Sequence, residues 1–230
     1  MPQFNYENPK NVDGSGIGTP EDRLFQTVLE LLVYEGYRAV TEEALAERGI
    51  SPALAAAYGS PEELCGAAVQ DAAERITIAC ESAAEDARLY LASKKYTKDF
   101  SYMHLERLLY RYIYLCFHPK NRVYVLACAQ ESQLLPEWKE LLTDVMQREF
   151  ADVLTELILA AGEVKNRQMA AVMACAVCGC VTAFVQQPGF CKKVFREATG
   201  EDPNYAVAED FLNNMLLRMI EANTGINKPF

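Results

Sequence analysis

Positive charge is scarce in this sequence. Its 230 residues hold 22 Lys and Arg against 32 Asp and Glu, a formal net charge of -10. Phosphate neutralisation needs Lys and Arg on the contacting face, so the balance weighs against a generic basic nucleic-acid binder. Glycine and proline, at 12 and 10 residues, are too few for a fibrous chain. Half of the residues are hydrophobic, which is enough for a sizeable core and excludes a wholly disordered protein.

Long apolar runs are also missing. Residues 1–18 contain no stretch of the roughly 7 to 15 apolar residues that a secretory signal needs, so we expect a cytoplasmic protein. No segment reaches the roughly 20 apolar residues of a membrane span, and no membrane partner is expected. The nearest, 169–185, is predicted to be a buried interface helix. In a cytoplasmic protein the eight cysteines are expected to be reduced thiols that pack as small apolar residues.

Few residues are arranged for catalysis or metal binding. There are two histidines, His104 and His118, and no Gly-rich phosphate loop, His-Glu-x-x-His motif or nucleophile elbow. Cys175, Cys178 and Cys180 include a zinc-like spacing but lack a second ligand pair, so burial as small hydrophobes is the favoured interpretation. We therefore predict no catalytic residue, no enzyme activity, no cofactor and no metal.

Helical periodicity, by contrast, runs through nearly the whole chain. Apolar residues recur at i, i+3, i+4 and i+7 from Pro20 onward, and no alternation long enough for a strand is present. We predict an all-α protein of about nine helices, with loops at Pro119, Pro136, Gly162 and Pro188–Gly189. The expected helices lie near residues 20–35, 41–48, 51–58, 60–90, 99–116, 121–132, 136–161, 166–187 and 205–222.

The first four predicted helices carry a family resemblance. Thr41, Ser51 and Ser60 stand at predicted N-caps, and Ser60 to Glu63 forms a capping box that opens a long helix. Three short helices followed by a long one is the layout of a helix-turn-helix unit. The segment 23–64 resembles the DNA-binding domain of tetracycline-repressor-type (TetR) transcriptional regulators. The matching residues are Gly36-Tyr37, Thr41, Leu45-Ala46, Gly49-Ile50-Ser51, Tyr58 and Glu63-Leu64.

The resemblance implies a domain plan and a function. A disordered tail would span 1–19, a helix-turn-helix DNA-binding domain 20–64, and a helical effector-binding and dimerisation domain 65–230. The protein would be a dimeric, ligand-responsive regulator, expected to be a repressor, that binds a DNA operator. The expected DNA contacts are Arg38, Thr41, Arg48, Ser51, Tyr58 and Ser60, although several of these also serve as caps or as a core aromatic.

The same segment departs from the family at the residues that read bases. The recognition helix, 52–58, offers no Arg, Lys, Asn or Gln to a base edge, although these make the strong bidentate contacts in the major groove. Residues 20–75 hold four arginines against eleven acids, a net charge of -7. The alternative prediction is therefore a TetR-fold protein that has lost DNA binding and acts as a small-molecule binding or protein-interaction module.

The stretch 94–124 reverses this charge. It is rich in Tyr and Phe, contains both histidines and carries a net charge of +5. Aromatic walls with a few polar groups suit a ligand cavity, here for an anionic or aromatic effector. An ordinary aromatic core with a solvated basic face explains the pattern equally well. The candidate ligand-binding residues are Tyr102, His104, Arg107, Tyr110, Arg111, Tyr114, Trp138 and Phe184.

Two late helices favour dimerisation. On 166–187, small residues form two adjacent rows at four-residue spacing, which allows close helix packing. The last helix has a broad apolar face, and together the two could form half of a four-helix interface. The other interpretation is that both helices close an intramolecular core. The predicted interface residues are Ala171, Cys175, Gly179, Phe211, Leu212, Met215 and Met219.

Overall fold

Helices account for nearly all of the structure. A computed structural model describes residues 18–118, 121–129, 134–162, 164–201 and 205–224, and within these ranges there is no strand, so the predicted all-α class is confirmed. The predicted tail, 1–19, lies outside the described residues except for Gly18 and Thr19. The helices are α1 (Pro20–Tyr34), α2 (Glu42–Glu47), α3 (Pro52–Ala56), α4 (Pro61–Ala92), α5 (Lys98–Phe117), α6 (Arg122–Ala129), α7 (Pro136–Met146), α8 (Asp152–Ala161), α9 (Arg167–Gln186), α10 (Pro188–Thr199) and α11 (Tyr205–Thr224).

Side-chain caps fix where the N-terminal helices begin. The Thr19 hydroxyl accepts from the Asp22 amide at the start of α1, and Thr41 accepts from Ala44 at the start of α2. At the start of α4 the predicted capping box is confirmed: Ser60 accepts from the Glu63 amide, and the Glu63 carboxylate accepts from the Ser60 amide at 2.7 Å. Because each cap satisfies amides that the helix leaves unpaired, these starts are set locally by the sequence.

Helix α4 joins the two ends of the molecule. Its 32 residues span about 48 Å at 1.5 Å per residue. Near its start it packs against α1 and α7, and further along it packs against α5 and α8. The buried face is built largely from small side chains, so neighbouring helices approach closely. The buried alanines of α4 are Ala68, Ala72, Ala73, Ala83, Ala84 and Ala87.

Helix α5 forms the centre of the second half of the chain. It packs against α4, α8, α9 and α11. Its Tyr112 is fully buried and stacks on Phe150 with ring centroids 3.9 Å apart. The same helix buries five aliphatic side chains, which are Leu105, Leu108, Leu109, Ile113 and Leu115. Helix α5 therefore lies at the middle of the part of the hydrophobic core that α4, α8, α9 and α11 build, and this core continues without a break into α1.

Two predicted features of the later helices are wrong. The loop expected at Pro188–Gly189 is the first turn of α10, because proline at the first helical position has no amide proton to leave unpaired. The single helix predicted over 136–161 contains a π-helical segment at Gln147–Ala151 between α7 and α8. Such a wide turn inserts one residue into the helix and shifts the faces that follow it.

The π-helical segment holds a buried carboxylate. The Glu149 side chain is 5% exposed and accepts from Arg88 Nη2 at 2.9 Å and from Arg148 Nε at 2.7 Å. Arg88 also donates to the Arg148 carbonyl, so α4 is tied to this segment twice. Burial raises the pKa of Glu149, but the hydrogen bonds and charges of Arg148 and Arg88 outweigh it and the net pKa is lowered.

Replacing Glu149 tests how much this tie stabilises the fold. We expect Glu149→Gln to lower the free energy of unfolding by about 1 to 2 kcal/mol, since a buried charge-assisted hydrogen bond is weakened while both arginines stay partly solvated. Because the folded pKa is lowered, the wild type should lose this contribution as the pH falls from the ordinary glutamate pKa through the folded one. Urea denaturation at neutral and acidic pH measures both effects.

Glu85→Gln is the matched control for this measurement. Glu85 pairs with the same Arg88 at 3.8 Å but its side chain is 56% exposed. We expect a change below about 0.5 kcal/mol, because exposed ion pairs contribute little. Equal effects of the two substitutions would contradict a stabilising role for the buried carboxylate.

Candidate functional sites

The predicted DNA-contact residues all lie in the segment 20–64, here called the head, and differ in what their side chains already do. Arg38 is exposed in a short 3-10 turn, Tyr37–Ala39, just before α2. Ser51 is exposed at the start of α3 and makes no capping hydrogen bond through its side chain. The Thr41 hydroxyl caps α2 but keeps its own proton for a further acceptor. These three side chains are available to a phosphate group.

The other three predicted contacts are engaged within the chain. The Ser60 hydroxyl donates to Glu63 Oε2 at 2.9 Å, so its proton is used. The half-buried Tyr58 ring meets Phe25 edge to face at 5.2 Å, which makes it part of the core of the head. Arg48 Nη2 lies 2.5 Å from Glu35 Oε1. Ser60, Tyr58 and Arg48 are therefore held by intramolecular contacts first.

Three of the four arginines of residues 20–75 make hydrogen bonds or ion pairs within the chain. Arg75 forms ion pairs with Asp22 and Asp71, and its guanidinium lies 5.8 Å from the centre of the Tyr124 ring. Arg23 donates to the Arg48 carbonyl at 3.2 Å. An open cleft of about 420 Å³ lies beside these groups and is lined by Arg23, Gln26, Thr27, Glu30 and Arg48. Within residues 20–75, Arg23, Arg48 and Arg75 are therefore engaged in intramolecular contacts.

Helix α3 presents small apolar side chains to solvent. Ala53, Ala56 and the following Ala57 are exposed, whereas Ala55 is buried and Leu54 packs partly against the core. We call the three exposed alanines the α3 face. Carboxylates of α2, Glu42, Glu43 and Glu47, are also exposed in the head. This surface has no bidentate donor for a base edge, as the sequence predicts.

The predicted ligand-binding residues do not form a single cluster. Near the start of α5, His104 stacks on Tyr90 of α4 at 4.7 Å, and Arg107 pairs with Asp86. Burial lowers the pKa of His104, and burial raises that of the neighbouring, fully packed Tyr102. Tyr110 and Arg111 lie one to two turns further along α5. The Nε atom of Arg111 is buried and has no hydrogen-bond partner among the described residues.

The remaining members lie towards the other end of α4. Tyr114 packs against His118 at 5.1 Å, and Phe184 of α9 packs against Phe117 at 5.6 Å. Trp138 meets the Tyr37 ring of the head at 5.7 Å and lies beside Gly66. Gly66 and Tyr90 are 24 residues apart on α4, about 36 Å along the axis. Trp138 therefore belongs to the junction between the head and α4, and its assignment to the same pocket as His104 is wrong.

A polar site that the sequence analysis missed surrounds Tyr112. Its hydroxyl is buried near the thiols of Cys116 and Cys178 and has no oxygen or nitrogen partner among the described residues. Burial raises the pKa of Cys178, and that of Cys128 nearby, to about 12, so these thiols are protonated at neutral pH. The only sequence signal was a tyrosine on the apolar face of α5, which does not distinguish a core residue from a ligand contact.

The cysteines predicted to be unligated sit at different depths. Cys175 is exposed, while Cys178 and Cys180 are half-buried on other sides of α9. Within the described ranges, no three His, Cys, Asp or Glu side chains are grouped in a way that could hold a metal ion. Nothing in this arrangement brings thiolates together.

Helices α9 and α11 each expose large apolar side chains. On α9, Met169, Val172 and Cys175 are exposed, and the exposed fraction of Val172 is 63%. On α11, Phe211 is 70% exposed and Met215 is 41% exposed. Of the other predicted interface residues, Ala171 and Met219 are half-buried and Gly179 is exposed. Leu212 is 2% exposed and belongs to the subunit core, so its assignment to the interface is wrong.

The apolar character of α9 is extreme for a helix that is mostly uncovered. Over an 18-residue window its mean hydropathy is 2.0, and 28% of that window is buried. In the described part of the chain it is the one helix long and apolar enough to cross a membrane by length and composition. A core helix or an interface helix passes the same test, and its five buried residues, at Ala170, Ala174, Val177, Val181 and Val185, mark one face that packs inward.

Two solved structures share this arrangement of helices. No protein-family model and no curated protein matches the chain. A bacterial regulatory protein in the TetR family from Rhodococcus RHA1 is similar over 89% of this chain and 98% of that one, with a TM-score of 0.60 and 16% identity. A TetR-like transcriptional regulator from Rhodococcus sp. RHA1 is similar over 89% and 97%, with a TM-score of 0.57 and 16% identity. The resemblance found in the sequence is confirmed at the level of structure: the chain has a TetR-like fold.

Proposed function

We propose that this protein is a dimeric, ligand-responsive transcriptional regulator. The observation that carries the proposal is the continuity of α4, which begins at a capped N-terminus in the head and ends beside the aromatic groups of α5. A change in packing around α5 would therefore move α4, and α4 would transmit this movement to the head. The two similar solved structures are regulators, which supports the same role here.

In this proposal DNA contacts come from the edge of the head. Exposed Arg38 and Ser51, with the capping Thr41, would bind phosphates, and backbone amides at the start of α3 would add further donors. The α3 face would provide only apolar contacts to bases. We infer that the head distinguishes DNA sequences weakly and that its affinity for DNA depends on a small number of phosphate contacts.

The acidic head favours a second candidate function. Residues 20–75 carry a net charge of -7, and Arg23, Arg48 and Arg75 are all engaged within the chain. A TetR-fold protein of this kind would keep the effector and dimer surfaces and use its head to contact another protein. Measurement of DNA binding at low salt separates the two functions.

The effector would bind among the aromatic and cationic side chains of α5. The half-buried side chain of Arg111 places a buried Nε donor here, and this donor has no hydrogen-bond partner among the described residues. A buried polar atom without a partner costs free energy, which an anionic group on an aromatic ligand would recover. This favours an aromatic carboxylate as effector class.

DNA binding should depend on Arg38. We expect Arg38→Ala to weaken binding to DNA from the protein's own promoter region about tenfold at low salt and to reduce the salt dependence by about one phosphate contact. Arg48→Ala should have a smaller effect, because Arg48 is already paired with Glu35. Fluorescence anisotropy over a salt series measures both.

Lys165→Ala, an exposed charge outside the head, is the control for that series. It should leave affinity and salt dependence unchanged. If the wild type fails to bind at low salt, the regulator proposal is rejected and the protein-interaction function is supported.

Dimerisation should depend on Gly179. A Cβ atom at this position would meet no atom within 4 Å in the subunit, so Gly179→Arg fits the isolated fold but would fill space needed by a partner helix. We expect monomers in size-exclusion chromatography with unchanged helical content by circular dichroism. Ser82→Arg, on an exposed part of α4, should leave the dimer intact. A dimer that survives Gly179→Arg would refute the proposed interface.

Effector binding should be visible through the single tryptophan. Trp138 lies between the head and α4, so a ligand that moves these elements apart should change its fluorescence. Titration with a set of aromatic carboxylates should give a saturable change, and Arg111→Ala should raise the dissociation constant about tenfold. Lys165→Ala should not. Binding that is indifferent to Arg111 would place the effector elsewhere.

A further inference from the structure

The turn between α4 and α5 exposes an apolar group with a basic border. We define the tip as Leu89, Lys94, Lys95, Tyr96, Phe100 and Met103. Leu89 is 62% exposed and Phe100 is 56% exposed, and Tyr96 and Met103 are also largely uncovered. Lys94 and Lys95 lie in the turn itself. Aromatic and Met side chains with a charged rim are typical of the centre of a protein-protein interface.

Hydrogen bonds hold the tip rigidly. The Tyr90 hydroxyl accepts from the Thr97 amide at 2.9 Å, lies 3.0 Å from the Thr97 carbonyl, and is 2.7 Å from the Ser101 hydroxyl. The Tyr96 hydroxyl donates to the Leu91 carbonyl at 3.0 Å. The apolar side chains are thus presented by a fixed scaffold, which lowers the entropy lost when a partner binds.

Lys94 occupies a backbone conformation that favours glycine. Its φ is 54°, and it is the sole non-glycine residue with a positive φ in the described part of the chain. Four other positive-φ positions are glycines, among them Gly49 after α2 and Gly200 after α10. Lys94 directly follows Ser93, the C-cap of α4, where a residue in the left-handed region commonly ends a helix, and a lysine there costs more free energy than glycine would.

The tip and the head are far apart in one chain. They lie at opposite ends of α4, about 48 Å from each other. This is several times the Debye length of about 8 Å at physiological ionic strength. The negative charge of the head therefore does not neutralise the lysines of the tip within the same subunit.

The two surfaces are complementary between copies. The α3 face offers small apolar side chains, and α2, which packs against α3, carries the exposed carboxylates of Glu42, Glu43 and Glu47. Large aromatic side chains of the tip would cover the alanines while its lysines approach the carboxylates. Two tips would repel each other through their lysines. We propose that the tip of one copy docks on the head of a second copy.

This contact joins two different surfaces, so it generates chains of molecules rather than a closed pair. It also covers the α3 face and would compete with any other partner of the head. It needs one tip and one head only, and so it does not depend on the proposed dimer or on DNA binding.

Sedimentation velocity tests the contact. At about 0.02 M salt and increasing protein concentration, the wild type should form species larger than its basic oligomer, and these should dissociate at about 0.5 M salt. Lys94→Glu combined with Lys95→Glu should weaken the association more than about tenfold, because like charges would then face each other. Lys192→Glu combined with Lys193→Glu on α10 is the matched control and should associate like the wild type.

A charge exchange makes the test specific. Glu43→Lys combined with Glu47→Lys should abolish association of that variant alone. Mixing it with the Lys94→Glu/Lys95→Glu variant should restore larger species, since the reversed tip then meets the reversed head. Circular dichroism of each variant checks that the helices are intact.

The Lys94→Gly variant distinguishes the effect of the backbone conformation at this position on stability from the effect of the lysine charge on association. Glycine removes the unfavourable φ, so the melting temperature should rise by a few degrees while association weakens about fivefold. Absence of salt-sensitive association in the wild type, or failure of the mixed variants to associate, would overturn the proposal. Binding of the tip to anionic vesicles or to an oligonucleotide, lost in Lys94→Glu/Lys95→Glu without any self-association, would overturn it in favour of that partner.

Discussion

The packing of α4 is the constraint on which the rest of the structure depends. One helix has to supply a face to α1 and α7 at its start and a face to α5 and α8 further on. Alanine at most of its buried positions makes this possible, because small side chains let four different helices approach the same axis. The cost is that α4 contributes little apolar area per residue. Its position is therefore held by polar ties as well, among them Arg88 with Glu149 and Arg75 with Asp22.

These ties also decide which charges remain for function. Arg75 and Arg48 neutralise acids of their own surroundings, so they stabilise the head at the expense of its potential for phosphate. Surface ion pairs of this kind contribute little stability individually, but each removes a cation from the contacting surface. The net charge of residues 20–75 stays at -7, but few of the guanidinium groups of this region remain available to a phosphate. Any partner of the head has to bring positive charge or tolerate carboxylates.

Local chemistry explains which parts of the fold were predictable. Helix starts followed from Thr41 and from the box formed by Ser60 and Glu63, because a cap is decided within four residues. Gly179 and Phe211 lie on outward surfaces, as the dimer prediction requires, and the dimer itself stays a prediction. The burial of Leu212 was not predictable, because a broad apolar stripe on α11 does not show which edge meets its own subunit. That distinction arises only when α5 packs against α11.

Long-range packing also explains what the sequence could not show about the effector site. In the sequence, Trp138, Tyr102 and Phe184 are all aromatic residues on apolar helix faces. In the structure, Trp138 packs between the head and the start of α4. Tyr112 could not be told from any other tyrosine on an apolar helix face, because burial beside thiols depends on several helices together. The π-helical turn at 147–151 contributes to this, since the extra residue turns Phe150 onto Tyr112 and Glu149 towards Arg88. The contacts of Phe150 and Glu149 thus depend on a break in the helical periodicity. A sequence pattern that assumes regular helices does not predict such a break.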